Sequence, residues 1–120
     1  MAFSRPLAEE HIEKLERKYK VEVRFVDGGD GEAFITPRAV FIPLLDTPEH
    51  YLAALHEFGH VVCKEAIRWH REYNQSEMLA DEFMCEAAAW AWAIREHHPI
   101  LVPKRSWSFV TRCLRTYLVQ

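Results

Sequence analysis

Residues 47–69 carry the strongest helix signal in the chain, and one residue inside the signal constrains how that helix packs. Thr47 is a favoured N-cap residue, Pro48 suits the first helical position, and Glu49 complements the positive end of the helix dipole. Gly59 then lies inside the helical pattern, where glycine costs about 1 kcal/mol relative to alanine. A glycine at such a position suggests that another backbone or a substrate approaches the helix closely there.

The segments on either side of this helix predict an α+β fold. A helix should begin at the cap candidate Ser4, followed by a half-buried strand over residues 21–26 and a turn over residues 27–31. Residues 32–43 predict two short strands, and Pro43 suits a strand end or an exposed edge. A second long helix is expected over residues 75–98, and a last helix after Pro103. With no repeat or linker, we expect a single domain over residues 1–120 with a small, three-stranded, antiparallel-type sheet.

Composition excludes several classes of protein. No apolar run approaches the roughly 20 residues that a membrane helix needs, and the N-terminus turns acidic where a signal peptide would turn apolar. We therefore expect a cytoplasmic location and no membrane partner. Three cysteines without a short-spaced pair favour reduced thiols. The formal net charge of −3 gives no general attraction to nucleic acid, so a nucleic-acid partner is not expected.

The C-terminal segment is a local exception to this charge balance, because cations alternate there with aromatic residues able to stack on bases. We interpret the segment as an amphipathic terminal helix with a solvated basic face. Its cations are Lys104, Arg105, Arg112 and Arg115, and its aromatic residues are Trp107, Phe109 and Tyr117.

The sequence His-Glu-Phe-Gly-His falls inside the helix predicted over residues 47–69. His56 and His60 are four residues apart, so both imidazoles project from one face of the helix about one turn apart. Glu57 lies about 100° round the helix from His56, within reach of a metal-bound water without being a ligand. This is the His-Glu-x-x-His signature of zinc peptidases. The motif predicts His56 and His60 as zinc ligands and Glu57 as the catalytic base.

A third ligand is expected from the helix over residues 75–98. Its acids Glu77, Glu82 and Glu86 point in different directions at 100° per residue, so at most one of them faces the metal. We choose Glu77, because Asp81 follows one turn later on the same face and can accept a hydrogen bond from a ligand histidine. Glu86, nearly opposite Glu77, is expected to lie outside the site. Thiolate ligation by Cys63 or Cys85 is a less favoured alternative, since buried cysteines usually pack as small apolar residues.

The two segments His-Glu-Phe-Gly-His and Glu-Met-Leu-Ala-Asp-Glu-Phe resemble the ImmA/IrrE family of bacterial and phage metallopeptidases. In that family a His-Glu-x-Gly-His helix is followed by a Glu-x-x-Ala-(Asn/Asp)-x-Phe helix. The resemblance covers roughly residues 39–92. It implies a minimal zincin-like domain, a zinc ion held by His56, His60 and Glu77, Glu57 as the base, and Asp81 behind the ligands. It also implies a protein substrate, since family members act on or with helix-turn-helix repressors.

Two further parts of a peptidase site remain to be placed. A donor for the tetrahedral oxyanion is usually needed, and Tyr73, His70 and Tyr51 are candidates among which the sequence does not choose. An extended peptide is expected to pair with the strand at Val40, Phe41 and Ile42, which we interpret as a sheet edge close to the metal helix.

Two other functional classes are compatible with parts of the sequence. A non-catalytic zinc domain would use the same ligands to hold the fold or to dock a repressor or another protein. An intact Glu57 and an open fourth metal position argue against that class. A nucleic-acid or repressor-binding module would depend on the basic C-terminal segment, and the acidic net charge argues against it.

Overall fold

The computed structural model describes residues 3–27, 31–34, 37–63 and 75–116, and the side chains of residues 75–81 lie outside that description. The fold is α+β, as predicted, with four helices and a three-stranded sheet in the described residues. The elements are α1 (Arg5–Tyr19), β1 (Glu22–Val26), β2 (Glu32–Phe34), β3 (Ala39–Pro43), α2 (Pro48–Cys63), α3 (Gln75–Glu96) and α4 (Trp107–Arg115). Two 3₁₀ turns, Pro99–Leu101 and Lys104–Ser106, connect α3 to α4.

Local capping chemistry sets where α1 and α2 begin. The hydroxyl of Ser4 accepts a hydrogen bond from the backbone N–H of Leu7, so Ser4 is the N-cap of α1 as predicted. The hydroxyl of Thr47 accepts one in the same way from the N–H of His50 and caps α2. Helix α1 ends at Lys20, which takes the left-handed conformation with φ 55°. Both predicted helix starts are confirmed at the level of individual hydrogen bonds.

The sheet is mixed, and its strand order is β1-β3-β2. Strand β1 pairs with β3 in parallel, from Glu22 opposite Ala39 to Val26 opposite Pro43. Strand β2 pairs with the other side of β3 in antiparallel fashion. The expectation of an antiparallel-type sheet is therefore correct for one of these two pairs and wrong for the other.

The central position of β3 corrects the expectation that Val40, Phe41 and Ile42 form an open edge for a peptide. Neighbouring strands already pair with β3 on both sides. The sequence of β3 carries a signal for this position, because its residues form an unbroken apolar run and four of its five positions are buried. Continuous apolar runs are typical of strands covered on both faces. The outer strands β1 and β2, by contrast, contain no buried residue.

Helix α2 is the centre of the fold, with eight buried residues, and its closest neighbour is α3. A Cβ built on Gly59 would lie 2.5 Å from the carbonyl oxygen of Ala89 and 2.9 Å from its Cα. No real side chain fits at that distance, so the backbones of α2 and α3 touch at this point. The glycine inside the α2 pattern is explained by a second backbone, one of the two causes expected for it.

The remaining helix boundaries agree with the sequence where the chain is described. Helix α2 is described to Cys63, and the predicted continuation to residue 69 falls in residues 64–74, outside the described residues. Helix α3 ends at Glu96, two residues before the predicted end. In α4, Val110 is buried and Trp107 and Phe109 pack against the core, while Arg112 and Arg115 are exposed, as an amphipathic helix requires. Lys104 and Arg105 are also exposed, but they lie in the 3₁₀ turn before α4. No helix in the described parts of the chain is long and apolar enough to cross a bilayer.

Candidate metal centre

Helix α2 brings His56 and His60 together as the four-residue spacing predicts. Their Nε2 atoms are 3.1 Å apart, and their ring centroids are separated by 4.6 Å. Both side chains are 13% exposed, which leaves an open side toward solvent in an otherwise buried helix. Two imidazoles at this spacing on one rigid helix form half of a tetrahedral metal site.

Glu86 of α3 supplies a carboxylate to the same point, which corrects the expectation that Glu86 lies outside the site. One carboxylate oxygen contacts Nε2 of His56, and the other lies 3.1 Å from Nε2 of His60. The three residues form a group whose ligand atoms all lie within 4.8 Å of one another. In the sequence, Glu86 is a single acid within an apolar stretch. This pattern indicates a partner for Glu86, because glutamate is seldom buried without one.

Two residues chosen from the sequence, Glu77 and Asp81, lie on α3, but their side chains are outside the described residues. Their roles as ligand and hydrogen-bond acceptor therefore stay predictions. Neither Cys63 nor Cys85 belongs to the group of ligand atoms that the described residues form. Cys85 is buried in α3, in keeping with the packing role favoured for it.

The two carboxylates around His56 control its protonation. Burial by itself would lower the pKa of His56, but hydrogen bonds with Glu57 and Glu86 outweigh it and raise the pKa to about 9. For Glu86, burial would raise the pKa, but hydrogen bonds from His56 and His60 lower it to about 2. At neutral pH the pair is therefore an imidazolium beside a carboxylate, and a metal that binds His56 must displace a proton from it.

Glu57 lies beside the metal ligands without joining them. Its carboxylate oxygen Oε1 is 3.4 Å from Nδ1 of His56, and the residue is 9% exposed. Gly31, with a positive φ of 96°, packs against it, since a Cβ at Gly31 would lie 3.2 Å from Cγ of Glu57. The glycine lets the chain before β2 cover Glu57 closely. Its contact with the cluster is at Nδ1 of His56, whereas Glu86 contacts Nε2 of the same ring, and the role of Glu57 as the catalytic base stays a prediction.

Trp90 supports the cluster in a way that the sequence analysis did not identify. Its indole ring stacks on the imidazole of His56, with ring centroids 4.3 Å apart and planes inclined by 17°. Trp90 follows Glu86 by one helical turn, so α3 supplies both contacts from one face. The stack restricts the ring of His56 to one orientation. In the sequence, the four-residue spacing between Glu86 and Trp90 already indicates that both side chains lie on one face of α3.

A cavity of about 610 Å³ opens beside the cluster. His56, Glu57 and Glu86 line it, together with other residues of α2, α3 and α4 and with Pro43 at the end of β3. The cluster therefore faces a space large enough for part of a ligand, since ligand pockets typically span about 300–1,000 Å³.

Of the three candidates for an oxyanion donor, Tyr51 is excluded by its position. The side chain is fully buried on another face of α2, and it is absent from the lining of the cavity. Its hydroxyl lies 2.6 Å from Nδ1 of His11 and accepts a hydrogen bond from the backbone N–H of His98. Burial raises the pKa of Tyr51 to about 12. The other two candidates, His70 and Tyr73, lie outside the described residues.

The donor atoms of the cluster suit a zinc ion. Two neutral imidazole nitrogens and one carboxylate oxygen are the donors of the His₂Glu class of catalytic zinc sites. Donors around a tetrahedral zinc at the usual bond lengths are about 3.3 Å apart. The separations of 3.1 Å between the two histidine nitrogens and of 3.1 Å from His60 to Glu86 are close to that value, whereas His56 and Glu86 are in direct contact and would move apart to hold a metal.

Comparison of the chain with protein-family models, with curated proteins and with solved structures finds no match in any of the three. What bears on function is therefore the chemistry of the site itself.

Proposed function

We propose that this chain is a zinc-dependent peptidase in which His56, His60 and Glu86 hold the metal and Glu57 is the general base. The observation that supports the proposal most strongly is the convergence of His56, His60 and Glu86 from two helices on one point beside a cavity. Three protein ligands leave one position open on a tetrahedral zinc, which is the mark of a catalytic site and not of a structural one.

Glu86, and not Glu77, is the third ligand in this proposal. The two residues are nine positions apart on α3, which is two and a half turns of an ideal helix, so they lie on opposite faces and about 13.5 Å apart along its axis. One straight helix does not offer both positions to the same pair of histidines. Since the described contacts with His56 and His60 belong to Glu86, we assign the ligand to it.

Different residues of the site have different roles in the proposed reaction. A zinc ion at His56, His60 and Glu86 would supply a Lewis acid that polarises a substrate carbonyl and makes a water molecule more acidic. The carboxylate of Glu57 takes the proton of the attacking water and returns it to the leaving amine. Proton transfer by a positioned carboxylate contributes roughly 10²–10⁴-fold in rate. Trp90 stacks on the ring of His56 and keeps its Nε2 atom at the ligand point beside Glu86.

For the substrate, we propose a peptide segment of a regulatory protein. The resemblance of the two helical segments to the ImmA/IrrE family favours a helix-turn-helix repressor as that protein. The open side of the cluster and the adjoining cavity give a peptide access to the metal position.

The test compares the wild-type protein with Glu57→Gln and Glu86→Gln, and uses Glu10→Gln as a control on the exposed surface of α1. Each protein is loaded with zinc, its metal content is measured, and it is incubated with a library of unstructured peptides whose products are identified by mass spectrometry. We expect Glu57→Gln to keep zinc and lose cleavage, Glu86→Gln to lose both, and Glu10→Gln to behave as wild type. Zinc binding without cleavage in the wild type would favour the non-catalytic zinc domain.

A further inference from the structure

The cavity beside the cluster has two chemically different ends along α2. His56 and Glu57 lie at one end, and Glu49 and His50 line the other. Each pair is seven residues from its counterpart, which places the two ends on the same helix face and about 10 Å apart. A ligand group that starts at the cluster and follows this face of α2 therefore ends at Glu49 and His50.

The walls between the two ends are mainly apolar. Ala53 of α2 lies between the two pairs, Trp90 of α3 lines one side, and Phe109 of α4 lines another. The rings of Trp90 and Phe109 meet edge to face, with centroids 6.0 Å apart. Aromatic walls of this kind accept an aliphatic stem, and their faces also attract a cation.

Apart from the histidines, the charged side chains that the described residues contribute to the cavity are acidic. They are the carboxylates of Glu49, Glu57 and Glu86, and no described lysine or arginine lines the cavity. In the proposed function Glu86 binds the metal and Glu57 transfers protons. Glu49 is left, and within the described residues it forms no ion pair or hydrogen bond through its carboxylate.

His50 lies next to Glu49 in the lining of the same end. Its Nδ1 atom is buried and has no hydrogen-bond partner among the described residues, so this nitrogen points away from the open space of the cavity. The polar group that this end offers to a ligand is therefore the carboxylate of Glu49.

We infer that this cavity is a subsite for a basic side chain of the substrate peptide, with arginine preferred over lysine. The aliphatic stem lies between Ala53 and the rings of Trp90 and Phe109, and the cationic head lies at Glu49. Arginine fits better because its planar head pairs with a carboxylate through two parallel hydrogen bonds. The inference rests on the proposed function, since it places the basic residue next to the peptide bond held at the metal.

The test measures binding in a protein that does not cleave. Zinc-loaded Glu57→Gln is titrated with four blocked hexapeptides of alanine and glycine that differ at one position, which is arginine, lysine, norleucine or glutamate. We expect the arginine peptide to bind about tenfold more tightly than the norleucine peptide, as a hydrogen-bonded charge pair typically provides. Lysine should fall between them, and glutamate should bind most weakly.

The same titrations in two double variants locate the preference. Adding Glu49→Gln should reduce the ratio of arginine to norleucine affinity to about twofold or less, while zinc content and melting temperature are retained. Adding Glu10→Gln, which removes the same charge from the exposed surface of α1, should leave the ratio unchanged. Equal affinity for the peptides, a preference that survives Glu49→Gln, or no binding of any peptide would overturn the subsite.

A further incubation distinguishes an incorrect subsite from an incorrect peptidase assignment. The arginine peptide is also incubated with the zinc-loaded wild-type protein. A preference that depends on Glu49, together with no cleavage by the wild type, would remove the proposed enzyme and keep a binding site for basic peptides. Cleavage without any preference at the cavity would keep the enzyme and remove the subsite.

Discussion

His56 on α2 and His11, which contacts α2 from α1, are both shielded from water at least in part, yet their pKa values shift in opposite directions. His56 lies between the carboxylates of Glu57 and Glu86, and its pKa rises to about 9. His11 bonds to the neutral hydroxyl of Tyr51, and burial together with repulsion from His98 lowers its pKa. Desolvation disfavours the charged imidazole at both positions, so the partner decides the outcome. A histidine beside carboxylates can bind a metal or a proton, whereas a histidine bonded to the hydroxyl of a tyrosine stabilises the fold.

The largest effect is expected from a substitution that removes the carboxylate of Glu86 from the polar group around His56. Glu86→Ala should weaken zinc binding by at least about 1,000-fold, or about 4 kcal/mol, which is more than the 10–100-fold typical of groups behind the ligands. Glu77→Ala is the matched change on the same helix and should retain zinc. Competition titrations with a chelator measure both affinities. The reverse result, with Glu77→Ala losing zinc and Glu86→Ala keeping it, would restore the original ligand choice.

The second effect is a pH dependence of the metal-free protein. The pKa of His56 is about 9 in the folded state and about 6.5 in the unfolded chain, so the folded state binds more protons between these values. Its contribution, up to about 3 kcal/mol, is complete below pH 6.5 and is lost as the pH rises through 9. Urea unfolding in the presence of a chelator at pH 6, 7.5 and 9 measures this loss. His56→Gln should flatten the profile, and an unchanged slope in that variant would assign the titration to another group.

The third effect concerns the other side of α2. Tyr51→Phe removes the hydroxyl that contacts His11 and accepts from the N–H of His98, which should lower the free energy of unfolding by about 1–3 kcal/mol. Zinc affinity should not change, because Tyr51 is not part of the cavity lining. Tyr19→Phe is the control, since the hydroxyl of Tyr19 makes no hydrogen bond within the described residues. A loss of zinc in Tyr51→Phe would show that the two sides are coupled.

The smallest expected effect is the change in the free energy of unfolding that the protonation of His11 causes at acidic pH. Its pKa is lowered in the folded state, so the unfolded chain binds more protons just below pH 6.5 and stability falls as the pH decreases there. This slope is opposite in sign to that of His56. Urea unfolding of the metal-free protein in a chelator between pH 5 and 6.5, where the contribution of His56 is constant, measures it, with His11→Gln as the reference. A steeper loss in His11→Gln than in the wild type would contradict this sign.

The sequence predicts best those features that depend on neighbouring residues. Ser4 and Thr47 cap their helices through bonds to residues three positions away, and His56 and His60 meet because they share one helical face. All of these follow from the geometry of a single element. The prediction of an α+β fold is of the same kind, since each element was assigned from its own periodicity.

The features that the sequence analysis missed depend on how elements meet. The choice between Glu77 and Glu86 is set by the rotation of α3 against α2, and no pattern within α3 determines that rotation. The position of β3 depends on which strands pair with it, and Pro43 alone suggested an edge where the unbroken apolar run indicated a centre. Tyr51 was a reasonable donor by residue type, but its burial against α1 is visible only in the assembled fold.

The contact between Gly59 and Ala89 also bears on how far the sequence of the site can drift. Gly59 lies three residues after His56 on α2, and Ala89 lies three residues after Glu86 on α3. The two main chains therefore touch within one turn of the ligands on both helices, so the backbones fix the distance between α2 and α3 at the metal position. Apolar residues farther along the α2–α3 interface can then exchange sizes through evolution with little effect on the metal position. Position 59 lacks that freedom, because any side chain there would meet the backbone of Ala89 and push the two helices apart.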